Sequence, residues 1–162
     1  MAVMLASAGS ASAVAPTVEK FGPFSGSEQI ADCGSGRERF EVWTDYVFEV
    51  QIITYYDSAG NPDYAREYYT FEDFFYNTET GEGFSEHDRS NAVVDLSSGQ
   101  EVTSSGVAYR VTVPGEGVVL IQAGTIKFDE DGNATFIAGP HQVFPESDTQ
   151  KLCEALAPDQ DT

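Results

Sequence analysis

The clearest patterning of apolar and polar positions lies at residues 118–144, VVLIQAGTIKFDEDGNATFIAGPHQVF, which reads as a β-hairpin. Val118, Leu120, Ile126 and Phe128 share one parity, and Val119, Ile121 and Ala123 the other. Apolar residues on both parities fit a strand covered on both faces. Asp129-Glu130-Asp131-Gly132-Asn133 supplies turn chemistry, because Asp-Gly accepts the positive φ of a tight hairpin. Phe136 and Ile137 resume the return strand, while Gly124 in the first arm predicts a bulge or a close backbone approach.

The remaining strands register around this hairpin. Residues 17–27 predict an extended arm and residues 27–32 a short strand, followed by a turn at Cys33-Gly34-Ser35-Gly36 and renewed β character over 37–42. Over 45–56, Tyr46, Phe48, Val50 and Ile52 face one way and Asp45, Glu49 and Gln51 the other, the period-2 signature of a half-buried strand. Residues 58–63 are a turn on composition. Residues 64–77, YAREYYTFEDFFYN, carry rings on both parities: Tyr68, Phe74 and Tyr76 on one, Tyr69, Phe71 and Phe75 on the other. A strand between a core and a second layer gives this pattern, and so does a parity-switching bulge. Cross-strand aromatic packing is its ordinary use; a ring-lined pocket is the sharper one.

Residues 83–96 are polar on both parities, with Ser85, His87, Arg89 and Asn91 opposite Glu86, Asp88 and Ser90. That predicts an exposed edge strand or a strand facing a solvated cavity. Residues 101–113 follow, with Val107, Tyr109, Val111 and Val113 aligned. Ser147 and Gln150 form a capping box for a short helix carrying Leu152, Cys153 and Leu156 on one face and ending before Pro158. Long strands and tight turns with one helix predict an all-β fold: an antiparallel up-and-down barrel of about eight strands with a short C-terminal helix. A two-sheet β-sandwich is the alternative.

The chain has 162 residues, which suits a single β domain over 16–158. Residues 1–15 are uncharged and rich in Ala and Ser, with small-x-small patterns at 11–13 and 13–15, and are read as a signal-peptide remnant. A disordered small-residue leader is the bland alternative. Residues 159–162 form an acidic tail expected to fray. No later segment is long and apolar enough to span a bilayer, so a secreted, extracellular protein is expected.

With 27 Asp and Glu against 8 Lys and Arg, the formal charge is −19. This argues against nucleic acid and anionic membrane surfaces as partners. Solubility is the plain use of such charge, and cation binding the sharper one. Two cysteines in an exported chain, Cys33 and Cys153, predict one disulfide.

Candidate chemistry is thin. His87 and His141 are the two histidines, and neighbours on a strand point to opposite faces, so His87 shares its face with Arg89 rather than with Glu86 or Asp88. A His–carboxylate pair needs convergence across strands. No G-x-S-x-G, phosphate loop or metal-ligand spacing occurs, so no catalytic residue, metal or cofactor is assigned. The acidic turn at 129–133 departs from a calcium loop, its Gly being fourth and no Glu closing it. Ligand-binding candidates are Tyr69, Phe71, Phe75, His87, Arg89, Tyr109 and His141, with Gly139-Pro140-His141 and the strand around His87 the expected place for a site.

Val113-Pro114-Gly115-Glu116-Gly117, Ala123-Gly124-Thr125-Ile126-Lys127-Phe128-Asp129, Gly139-Pro140-His141 and Leu152-Cys153-Glu154-Ala155-Leu156 resemble a loose group of uncharacterised secreted actinobacterial proteins. The resemblance spans residues 33–156 and implies export and paired cysteines, with no activity attached. The plan of a β-meander and a helix tied by a disulfide also resembles lipocalin-type barrels, although Glu41-Val42-Trp43 stands where their G-x-W would lie. Three functions follow as expectations: a barrel binding a small apolar or aromatic ligand inside, an extracellular interaction module without such a site, and a His–carboxylate enzyme.

Overall fold

The computed structural model describes residues 14–113, 115–143 and 148–158. Most of the expected leader, the expected acidic tail and Ser147 of the expected capping box lie outside them. Seven antiparallel strands follow one another in a single sheet: β1 (Thr17–Cys33), β2 (Phe40–Tyr56), β3 (Pro62–Asn77), β4 (Gly83–Asp95), β5 (Gln100–Val113), β6 (Gly117–Phe128) and β7 (Ala134–Ala138). A 3₁₀ turn, Gly36–Glu38, links β1 to β2, and helix α1 (Gln150–Ala155) follows the sheet. The all-β, up-and-down plan is therefore present, with seven strands and without closure. β1 and β7 are the two edges. β7 has five residues, all exposed, too short to zip against the 17-residue β1.

Segments that read as separate pieces are continuous. The arm and short strand over 17–32 form one strand, interrupted by register shifts between Phe21 and Phe24 and between Gln29 and Ala31. Each shift inserts extra residues, so the break in alternation looked like a break in the strand. β3 runs against β4 without any shift, so its rings divide strictly by parity and no bulge switches them. β4 is the central strand of the seven, not an edge.

The polarity of β4 has a local cause. Its ladder with β5 covers only Arg89↔Val107 to Asp95↔Gln100. Beyond Val107 a register shift turns β5, so Tyr109, not Val107, joins Val111 on the inner side. There the strands fork. Asp88 Oδ2 accepts from the Arg110 N–H at 2.8 Å and Glu86 Oε1 from the Thr112 N–H at 2.7 Å. Carboxylates thus replace the carbonyls that a continued ladder would have supplied.

The fork lets the sheet curl over itself at one end. Ala31, Cys33, Phe40, Val42 and Phe75 meet Val111, Val119 and Leu120 there, capped by Leu152 of α1 and by Leu156 just after it. A second register shift, between Val111 and Thr112, leaves Val119 and Leu120 both buried. The Cys33–Cys153 disulfide, Cα–Cα 5.5 Å, and a hydrogen bond from Asn77 Nδ2 to the Leu156 carbonyl at 2.8 Å fasten the helix to this end.

The opening hairpin keeps its turn. Asp129 Oδ1 accepts from the N–H groups of Asp131 and Asn133, and the Asp129 N–H donates to the Asn133 carbonyl at 3.0 Å. Those bonds hold the Asp129 carboxyl below its usual range, the Asn133 backbone bond foremost. Gly124 has φ +127°, and a Cβ there would lie 2.0 Å from the Ala138 carbonyl oxygen. Gly124→Ala is therefore expected to lower stability by about 1–3 kcal/mol in a urea titration, against no change if the two backbones can part freely.

Candidate functional site

Register assigns every strand residue to a face. The inner face is the one that carries the core at the curled end: Val42 pairs with Asn77, Thr44 with Phe75, and Tyr46 with Asp73. Farther along the same face lie Phe21 and Phe24 of β1, Phe48 and Val50 of β2, and Tyr69 and Phe71 of β3.

Here the rings form a cluster centred on Phe48. Its centroid stands 5.2 Å from Phe24, 6.2 Å from Tyr46, 6.2 Å from Tyr69 and 5.8 Å from Phe71. Tyr69 and Phe71 are themselves stacked at 5.9 Å. Tilted and offset contacts at these separations are the favourable ones for aromatic quadrupoles. Unlike the core, this platform reaches solvent: Phe21 and Phe24 are 43 % and 48 % exposed, and the other rings are half-buried.

Carboxylates and phenols stand between the platform and the core. Tyr109 OH donates to Glu28 Oε1 at 2.9 Å, linking β5 to β1 across the curl, and Tyr69 OH donates to Glu67. Burial, reinforced by these carboxylates, raises both phenols above their ordinary range. Asp73 and Asp88 are each only 4 % exposed. Desolvation, with Asp88 and then Glu28 nearby, pushes Asp73 up to about 7. Asp88 is also raised by burial, opposed by its bond from the Arg110 N–H. Asp73 Oδ2 and Thr44 Oγ1 are the buried side-chain polar atoms without a hydrogen-bond partner among the described residues. Both lie on the inner face, on adjacent strands.

The sequence-derived candidates separate into four places. Tyr69 and Phe71 are on the platform. Phe75 is fully buried in the core with Tyr109 edge-on to it at 5.8 Å. His87 and Arg89 are on the outer face, where they line an open cleft of about 560 Å³ at the β4–β5 fork with Thr70, Glu72, Asp88, Val107 and Arg110. His87 Nδ1 lies 3.8 Å from Glu72 Oε1, beyond hydrogen-bond reach, and both side chains are largely exposed. His141 is elsewhere: Gln122 Nε2 donates to its Nδ1 at 2.9 Å, which assigns the proton to Nε2, facing the Ala138 carbonyl at 3.2 Å. It borders a cavity of about 30 Å³ with Ser90, Ser104 and Gly106, room for a water rather than a ligand.

Sequence reasoning passed over Asp73, Asp88, Glu28 and the rings of Phe24 and Phe48 as a site. The period-2 alternation placed Phe48 with Tyr46, but nothing local distinguishes a ring in the core from one on an open face. Among the described residues, no group of three or more His, Cys, Asp or Glu side chains stands close enough to hold a metal ion. No described helix is long and apolar enough to cross a membrane.

An all-β meander, curled and packed at one end and bearing an open aromatic platform, is the class that fold and site define. No family model, no curated protein and no solved structure matches the chain.

Proposed function

We propose that the protein is a secreted binding module whose inner sheet face takes a small apolar or aromatic ligand. The observation that carries this reading is the contiguous, solvent-reaching ring cluster around Phe48. Exposed apolar patches of this kind on a folded domain mark interaction sites, and aromatic side chains provide large contact area with little conformational freedom to lose. The curled end is filled by Phe75, Val111, Leu120 and Leu152, so the ligand lies on the open stretch of the inner face instead of inside a closed barrel. Secretion accords with the Cys33–Cys153 disulfide, which persists in oxidising compartments.

Titration with the neutral dye Nile red tests this. The dye is expected to brighten on the native protein, with at least a fivefold loss of affinity in Phe48→Ser. Equal binding by the variant would place the dye elsewhere and remove the reading.

One observation favours a second occupant. β1 is an unpaired edge of 17 residues, and Val18, Phe21 and Phe24 on it are exposed. An extracellular protein partner that adds a strand there would cover the platform from its open side.

A further inference from the structure

We propose that the occupant of the aromatic platform is a hydrophobic cation, a small aromatic or apolar molecule carrying an ammonium or guanidinium group. This inference rests on the ligand-binding reading above and adds the charge of the ligand.

The sheet sorts its charges by face. Lys20, Arg66, Arg89, Arg110 and Lys127 are the five basic residues on strands. Register places all five on the outer face: Lys20 pairs with Gln51, Arg66 with Ile53, Arg89 with Thr70, Arg110 with Ile121 and Lys127 with Thr103. The inner face carries acids instead, among them Glu19, Glu28, Glu67, Asp73, Glu86 and Asp88, interleaved with the rings. Each side of the platform therefore has carboxylates and, among the described strand residues, no Lys or Arg on its own face; Arg110 and His87 act on Asp88, and His87 on Asp73, only from the outer face. A chain of net charge −19 has few cations to spend, and it uses none of its strand cations here.

Desolvated like charges are costly; backbone N–H groups and phenols partner Asp88, Glu86, Glu28 and Glu67, and one oxygen of Asp73 is left without a partner among the described residues. Asp73 is the clearest instance, being almost fully buried with Oδ2 unpartnered and Thr44 Oγ1 unpartnered on the next strand. The groups facing Asp73 on the inner side are Glu28 from β1, Tyr46 from β2, Glu86 and Asp88 from β4 and Tyr109 from β5, all acidic or phenolic, and only His87 opposes them, from the outer face of β4. A cation at the Asp73 end of the platform would relieve that repulsion while its apolar body covers Phe48 and Phe71. The ring faces add to the attraction, since an aromatic quadrupole is negative above the plane. The same arrangement discriminates against an anionic ligand of equal size, which would meet carboxylates all round.

The test is a charge series on one scaffold: 1-naphthylmethylammonium, neutral 1-naphthylmethanol and 1-naphthylacetate, titrated by calorimetry against the full chain at pH 7.5. The ammonium is expected to bind at least tenfold more tightly than the alcohol, with the acetate weakest. The advantage should shrink severalfold between 50 mM and 500 mM salt. Glu28→Gln should reduce the ammonium-to-alcohol ratio severalfold. Phe24→Ser, at a half-exposed position where folding is not at stake, should weaken all three without changing the net charge. If alcohol and ammonium bind equally, the cation inference is overturned and the ligand-binding reading survives. If none of the three binds, the ligand-binding reading itself falls. Should Phe24→Ser and Phe48→Ser both bind the ammonium as well as the native chain does, the attraction is only that of the net charge, and the inference is overturned. Displacement of the ammonium by a basic alternating peptide but by no small amine would assign the face to a protein partner and overturn it too.

Discussion

Replacing Cys33 and Cys153 together by alanine is expected to cost about 5 kcal/mol of stability. The disulfide joins residues 120 apart, nearly the whole of the sheet, so its loss releases a very large loop in the unfolded chain. The chain-entropy relation for a loop of this length returns about 4.9 kcal/mol, close to the full stability of many small domains. The effect should concentrate at the curled end. Helix α1 has six residues, too few to persist alone, and without the bond it keeps the packing of Leu152, Ala155 and Leu156 and the Asn77 hydrogen bond. Urea titration of the double variant should show a midpoint lowered by more than 1 M, taking an m-value of about 2 kcal/mol/M. A variant as stable as the native chain would mean that the curl is held by packing alone.

The second large effect concerns Asp73 and pH. Its carboxyl is raised to about 7 in the folded chain against an ordinary value near 3.8, first because it is buried and then because Asp88 and Glu28 are close. The folded state therefore binds more protons than the unfolded state between about pH 4 and pH 7. Stability from this group is fully present below the lower value and falls as pH rises through the window, levelling off above 7. Asp88 adds to the slope in the same direction. Asp73→Asn removes the charge and keeps the shape. The variant is expected to match the native chain near pH 4 and to exceed it at pH 8 by about 2–4 kcal/mol, the upper figure being the whole shift expressed as free energy. Denaturant melts at pH 4.5 and pH 8 measure the difference directly. Self-repulsion from the net charge also weakens the fold as pH rises, so the variant-minus-native difference is the informative quantity. A difference that is flat with pH, or one of the opposite sign, would show that Asp73 is ionised and solvated in the fold.

Much of the architecture was legible because strands and turns are written locally. The Asp129–Asn133 turn, the parity of Tyr46, Phe48, Val50 and Ile52, and the close approach at Gly124 each depend on a few adjacent residues. The single disulfide was legible because two cysteines admit one pairing within the chain. β4 was misread as a possible edge for an instructive reason. Its acids looked like solvent-facing residues, yet Asp88 and Glu86 accept from the Arg110 and Thr112 N–H groups where the ladder stops. Polar side chains that act as backbone partners cannot be told from exposed ones by pattern alone.

The sequence by itself determined the all-β class, where the chain turns, and which residues share a face wherever no register shift intervenes. Only the tertiary structure decided which face became inner and how far along it the core extends. Phe75 and Phe71 sit four residues apart on the same face of β3, yet Phe75 is fully buried and Phe71 lies on the open platform, with Asp73 between them. Alternation assigns all three to one side, because it reports only backbone geometry. Their different fates follow from the fork after Val107, the register shift at Val119 and the helix pinned by Cys153, which bring β5, β6 and α1 over one end of the sheet and leave the other uncovered.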